Sequence, residues 1–175
     1  MAGILLLLRY GFLLELGFDV ILSPFWHGIF ILATVLVAAG GNAVNDAKDI
    51  NADTINKPDK MIVGKAITID TALFTGQLLL LLGSILGLVL GYFNNMLSFS
   101  YIFPLTAILL WVYANNLKKI AFIGNLAIAF LGGLMVFNEA IFDILYTLQS
   151  EDRDLQMQAI WVILAVSGFS FVLTL

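Results

Sequence analysis

Residues 42–53 of this 175-residue chain read NAVNDAKDINAD, with carboxylates and carboxamides recurring at intervals of three and four. On a helix, Asn42, Asn45, Asp46, Asp49 and Asp53 fall within an arc of about 100°. Ala43, Val44, Ala47 and Asn51 lie elsewhere on the wheel. Carboxylates so close together repel one another unless a cation sits between them. Hard oxygen donors suit Mg²⁺, which keeps several waters and meets a protein through one or two carboxylates plus phosphate oxygens. Such a ridge calls for a metal-chelated phosphate. The blander reading is a solvated, acidic helix end. Against it, these acids share one face and continue an apolar run.

The next segment, TINKPDKMIVGKAIT at 54–68, places Lys57, Lys60 and Lys65 in a short loop with Pro58 and Gly64. A phosphate bound by a cation on one side still carries charge, and lysines on the other side would stabilise a departing diphosphate. Lysines also collect on cytoplasmic loops of any membrane protein. Their position beside the acidic ridge favours the phosphate role.

The elements that must hold these residues are legible in the composition. The chain is 61% hydrophobic and 11% charged, where soluble domains carry roughly 25% charged residues. Lipid must therefore be its solvent, and only helices or closed barrels span lipid with every backbone group paired. The apolar stretches are continuous rather than alternating, which selects helices. Spans of about 20 residues are expected at 1–22, 24–44, 72–92, 96–113, 120–137 and 159–175. The sequence thus predicts an all-α, polytopic transmembrane helical bundle of about six spans in one domain, 1–175. The first span is interrupted by Arg9 and Glu15, and no small-residue cleavage site follows it to suggest a signal peptide. Lys48, Lys57, Lys60 and Lys65 precede the third span, and Lys118 and Lys119 follow the fourth. By the positive-inside rule these loops, and the aspartate-rich segment with them, face the cytoplasm of a cell-membrane protein. A net charge of −4 gives no footprint for nucleic acid. With no cysteine, thiolate metal sites and disulfides are excluded.

NDAKDINAD followed by NKPDK resembles the first aspartate-rich motif of UbiA-type membrane prenyltransferases, NDxxDxxxD with its trailing NRPxRP-like segment. The stretch YANNLKK at 113–119, followed by Gly124-Asn125, is similar to that family's YSxxLKR…GN pattern. The resemblance covers most of the chain from about Pro24 onward. It implies a bundle of about nine helices around a membrane-open cavity, in which Mg²⁺ bridges aspartates to a polyprenyl diphosphate. Diphosphate departs, and the allylic cation alkylates an acceptor. By position, it makes Asn45, Asp46, Asp49 and Asp53 the metal set, with Asn42 and Asn45 also meeting substrate. Lys57, Lys60, Lys118 and Lys119 would neutralise diphosphate, and Asn125 would line the cavity. Tyr113 would face the developing cation, a physically sound use of an aromatic ring. Asp49, Tyr113 and Lys119 are the catalytic expectations. The implied partners are geranylgeranyl or a similar polyprenyl diphosphate, a lipophilic or phosphate-bearing acceptor, and membrane lipids. Within the family, the LRYGF start and INKPDK segment resemble most the geranylgeranylglycerol-phosphate synthases, which make lipid precursors. Prenylation of a quinone precursor is the alternative.

Some positions depart from the family pattern. Lys57 and Asp59-Lys60 stand where arginine-type positions are usual, and Ala114 replaces a usual serine. The family's second aspartate-rich motif is absent, and Glu151, Asp152 and Asp154 fall on the opposite side by charge topology. The resemblance therefore implies a C-terminally truncated chain that lacks half of its metal site and is catalytically incompetent by itself.

Two other classes fit less well. CDP-alcohol phosphatidyltransferases need a series of Asp-Gly, Ala-Arg, Gly and two further aspartates, which does not occur. A divalent-cation transporter places acids at mid-membrane depth, whereas these lie at a helix end. Among smaller features, Glu139 and Asp143 read as a solvated exterior helix end, and His27 as a packing residue without a partner. Trp26, Tyr92, Trp111, Tyr113 and Trp161 sit near span ends as aromatic belts do. Gly132 and Gly133 suit close helix approach.

Overall fold

The structure, a computed structural model, describes residues 1–120, 122–148 and 153–174. Two polar caps start the longest early helices. Ser23 Oγ accepts the Trp26 amide at 3.4 Å to open α2 (Pro24–Lys48), with Pro24 at a position where a missing N–H costs little. Thr68 Oγ1 accepts the Thr71 amide at 3.2 Å to open α4 (Ile69–Phe93), and Asp70 complements the helix dipole there. Between them lies the short α3 (Ile50–Asn56). A turn in which Asn95 takes φ 57° leads into α5 (Leu97–Ser100) and α6 (Ile102–Asn115). Asparagine tolerates that left-handed conformation better than most residues. The helices α7 (Ile123–Leu148) and α8 (Arg153–Thr174) complete the chain. Among the described residues there is no strand, only an isolated bridge between Val63 and Ile67.

Among the described residues, five stretches are long and apolar enough to cross a membrane: Pro24–Lys48, Ile69–Phe93, Leu97–Asn115, Ile123–Ile144 and Arg153–Val172. Helices gain no hydrophobic drive from packing against each other in lipid, so they rely on close backbone approach. The α2–α4 crossing shows this. A Cβ on Gly40 would lie 2.7 Å from the Gly76 carbonyl oxygen, and one on Gly83 would lie 2.8 Å from that of Ala33. Gly133 plays the expected part between α7 and α8, where a Cβ would come within 3.0 Å of the Ser167 carbonyl oxygen. Gly132 instead accepts a hydrogen bond from Ser170 Oγ at 3.2 Å. At one end of the bundle Phe30, Phe103 and Phe142 pack ring against ring, with centroids 5.4–6.2 Å apart.

The expected first span is not continuous. α1 (Ala2–Leu13) extends about 18 Å, short of the roughly 30 Å hydrocarbon core, and its second half is wound as a π-helix. The chain then turns at Gly17, whose φ is 82°. Arg9 explains why this segment folds against the bundle. Its guanidinium is buried, lies 2.6 Å from Asp143 Oδ1 and donates a second hydrogen bond to the Leu22 carbonyl.

Asp143 is therefore no solvated exterior acid, and neither is Glu139. Both are buried, and Glu139 Oε1 lies 2.9 Å from His27 Nε2. His27 thus has a partner, 112 residues away in sequence.

Candidate metal and diphosphate site

The acidic ridge straddles a bend. α2 ends at Lys48, Asp49 takes φ −95° and ψ 4°, and the chain resumes as α3. The hydrogen-bond ladder survives the bend, since the Asp49 amide donates to the Asn45 carbonyl at 2.9 Å and the Asp53 amide donates to that of Asp49 at 2.8 Å. The bend sorts the ridge into two groups.

The first group is gathered by Lys118. Its Nζ lies 2.7 Å from Asp49 Oδ1 and donates to Asn45 Oδ1 at 3.2 Å. Asn45 Nδ2 in turn donates to Asp49 Oδ2 at 2.8 Å. Lys118 also reaches the Asn45 carbonyl at 3.5 Å, a favourable place for a cation beside the C-terminal end of α2. Lys118 hangs from the turn Leu117–Lys119, against which α7 starts closely: a Cβ on Gly124 would lie 3.2 Å from Lys118 Cα. The glycine of the Gly-Asn pair after the lysines thus has a packing reason.

The second group is Asp46 and Asp53. They line a recess of ≈ 190 Å³ together with Lys57, Lys60, Ile62 and Val63. Among the described residues neither carboxylate has a hydrogen bond or ion pair to its side-chain oxygens. The loop above them is folded by its own bonds. Lys65 Nζ donates to the Pro58 carbonyl at 2.5 Å, and the Gly64 amide donates to the Ile67 carbonyl at 2.7 Å. Lys65 is therefore spent on shaping the loop, while Lys57 and Lys60 border the recess.

An apolar cavity of ≈ 230 Å³ lies between α2, α6 and α7. Val37, Phe103, Leu110 and Met135 are among its walls, and Asn42 and Asn138 are polar groups on its lining. Asn42 stands one helical turn from Asp46, so the polar recess and the apolar slot adjoin along α2.

Other expected site residues are less central. Tyr113 is half-buried on α6 within electrostatic reach of Asp49, yet it does not line the apolar cavity. Asn125 is exposed on the first turn of α7 and borders neither the cavity nor the recess. The side chain of Lys119 lies outside the described residues.

All donors at the ridge are oxygens, two carboxylates are uncommitted, and lysines stand opposite. That set fits a hard divalent cation together with the phosphate oxygens it would chelate. The family model described as UbiA prenyltransferase matches residues 10–175. The chain belongs to the UbiA prenyltransferase family.

UbiA prenyltransferases are generally metal-dependent, in keeping with the oxygen ridge. Curated relatives named digeranylgeranylglyceryl phosphate synthase are similar to this chain. The Metallosphaera sedula protein is 37% identical over 107 residues, covering 61% of this chain and 36% of the relative. The Methanoregula boonei protein is 40% identical over 107 residues, covering 60% and 37%. The Saccharolobus solfataricus protein is 34% identical over 132 residues, covering 68% and 45%. The chain thus spans less than half the length of these relatives. No solved structure matches it.

Within this UbiA member, Lys118 is the residue whose importance spacing alone understates.

Proposed function

We propose that this chain forms a donor site for a polyprenyl diphosphate, and that its protein transfers the prenyl group to a membrane-associated glycerol-phosphate lipid precursor with Mg²⁺. The observation that carries this reading is the adjacency of the recess at Asp46 and Asp53 to the apolar slot lined by Asn42. A prenyl diphosphate has the same two-part character, a polyanionic head on an apolar tail. Asp46 and Asp53 would hold the cation, which when bound supplies positive charge against the diphosphate. Asp49 and Asn45, fixed by Lys118, complete the oxygen face. Lys57 and Lys60 stabilise charge on the departing diphosphate. The apolar walls of α2, α6 and α7 keep water from the allylic cation, and Tyr113 offers an aromatic ring beside Asp49.

The shared similarity to digeranylgeranylglyceryl phosphate synthases supports a glycerol-phosphate acceptor over a quinone precursor. The lysine-bearing end that carries the ridge faces the cytoplasm by the charge bias of its loops.

The test is transfer of radiolabelled geranylgeranyl diphosphate by protein expressed from the whole gene, with and without Mg²⁺. Label moving to geranylgeranylglyceryl phosphate only with Mg²⁺ is the expected result. Label moving instead to an aromatic acceptor would replace the lipid assignment, and no Mg²⁺-dependent product with any acceptor would overturn the proposal.

A further inference from the structure

Four ionisable side chains meet at the end of the bundle away from the ridge. They are Arg9 of α1, His27 of α2, and Glu139 and Asp143 of α7, and each is at most 2% exposed. Along α2, His27 stands about 28 Å from Asp46, so this group is separate from the diphosphate site. One ligand-type atom from each of His27, Glu139 and Asp143 lies within 4.8 Å of the other two.

The pairing inside the group is incomplete. Arg9 holds Asp143 Oδ1, and His27 Nε2 meets Glu139 Oε1. Among the described residues, the second carboxylate oxygens, Glu139 Oε2 and Asp143 Oδ2, are buried with no hydrogen-bond partner. With both acids ionised, two carboxylates would face one guanidinium, and a proton on His27 would give neither orphaned oxygen a donor. A cation would engage both oxygens.

We propose that His27, Glu139 and Asp143 form a binding site for a zinc-class divalent transition metal. Imidazole nitrogen favours zinc and its neighbours, whereas Mg²⁺ and Ca²⁺ take all-oxygen sets. Zinc binds imidazole nitrogen and carboxylate oxygen at about 2.0–2.2 Å in a tetrahedral arrangement, so its ligands sit about 3.3–3.6 Å from one another. The present spacing closes with side-chain shifts of up to about 1 Å. Arg9 is the outer group that orients Asp143, and the Tyr10 ring covers His27 edge-on at 5.9 Å. The metal would tie α1, α2 and α7 together at the end opposite the ridge.

The experiment titrates Co²⁺ into chelator-stripped, detergent-purified protein in excess Mg²⁺, which occupies oxygen-only sites, and reads visible d–d absorption. The expected result is a saturable band with one Co²⁺ per chain. It is lost in His27→Ala and in the near-isosteric Glu139→Gln, and it persists in Asp53→Asn. Helical circular dichroism and monodispersity identify any variant that fails to fold. X-ray absorption at the zinc edge on wild-type protein needs no variant, and it should show a nitrogen and oxygen shell with imidazole scattering. No band and no bound zinc in wild type would overturn the proposal. A band that survives both His27→Ala and Glu139→Gln but vanishes in Asp53→Asn would assign the metal to the ridge, and it too would overturn it.

Discussion

Asp53→Asn is expected to lower Mg²⁺-dependent prenyl transfer about a hundredfold, with a raised requirement for Mg²⁺. Asp53 and Asp46 are the ridge carboxylates not already committed to a described side chain. The amide keeps the shape of the side chain and removes its charge, so the loss falls on cation and diphosphate binding rather than on folding. Asp46 remains in place, which is why excess Mg²⁺ should restore part of the rate. Asp70→Asn removes an exposed carboxylate from the first turn of α4, outside the recess, and should leave the rate within about twofold. Initial rates across a Mg²⁺ series separate these outcomes. Equal rates for wild type and Asp53→Asn at every Mg²⁺ concentration would remove Asp53 from the site.

The other large effect lies at the opposite end. Asp143→Leu leaves the Arg9 guanidinium buried without its partner, and breaking one side of a buried pair costs about 3–5 kcal/mol. Arg9→Met in the same chain removes the stranded charge, and much of the loss should return. Thermal unfolding in detergent with chelator present checks this free of any bound metal. Additive losses from the two single changes would show that the 2.6 Å pair contributes no coupling.

The ridge was legible because its information is local. Intervals of three and four place five polar side chains on one helix face whatever surrounds them. The division of that face was not legible. It depends on the bend at Asp49 and on Lys118, which comes from 73 residues away. Spacing did not single out Lys118, since only the turn at 117–119 brings its Nζ to Asp49. The apolar slot was hidden for a similar reason, because three separate helices build it.

The helical, polytopic architecture followed from composition, whereas the apolar ruler that placed spans at 24–44 and 72–92 left out the polar ends of α2 and α4, such as the turn that Thr68 caps. The N-terminal segment differs because Arg9 finds a partner 134 residues away. A signal for this was present. An arginine in an apolar run, a lone histidine and two acids spaced four apart are costly in lipid unless they pair with one another. Reading each of them singly concealed a group whose members find their partners in one another.

The most direct test of the central claim is binding of a non-hydrolysable geranylgeranyl thiolodiphosphate to the protein expressed from its whole gene. Affinity is measured with and without Mg²⁺, for wild type and for the Asp46→Asn, Asp53→Asn double variant. A prenyl diphosphate site at this ridge requires that Mg²⁺ tighten wild-type binding at least about tenfold and that the double variant lose that gain. Wild-type affinity indifferent to Mg²⁺, or a double variant that binds as tightly as wild type, would contradict it.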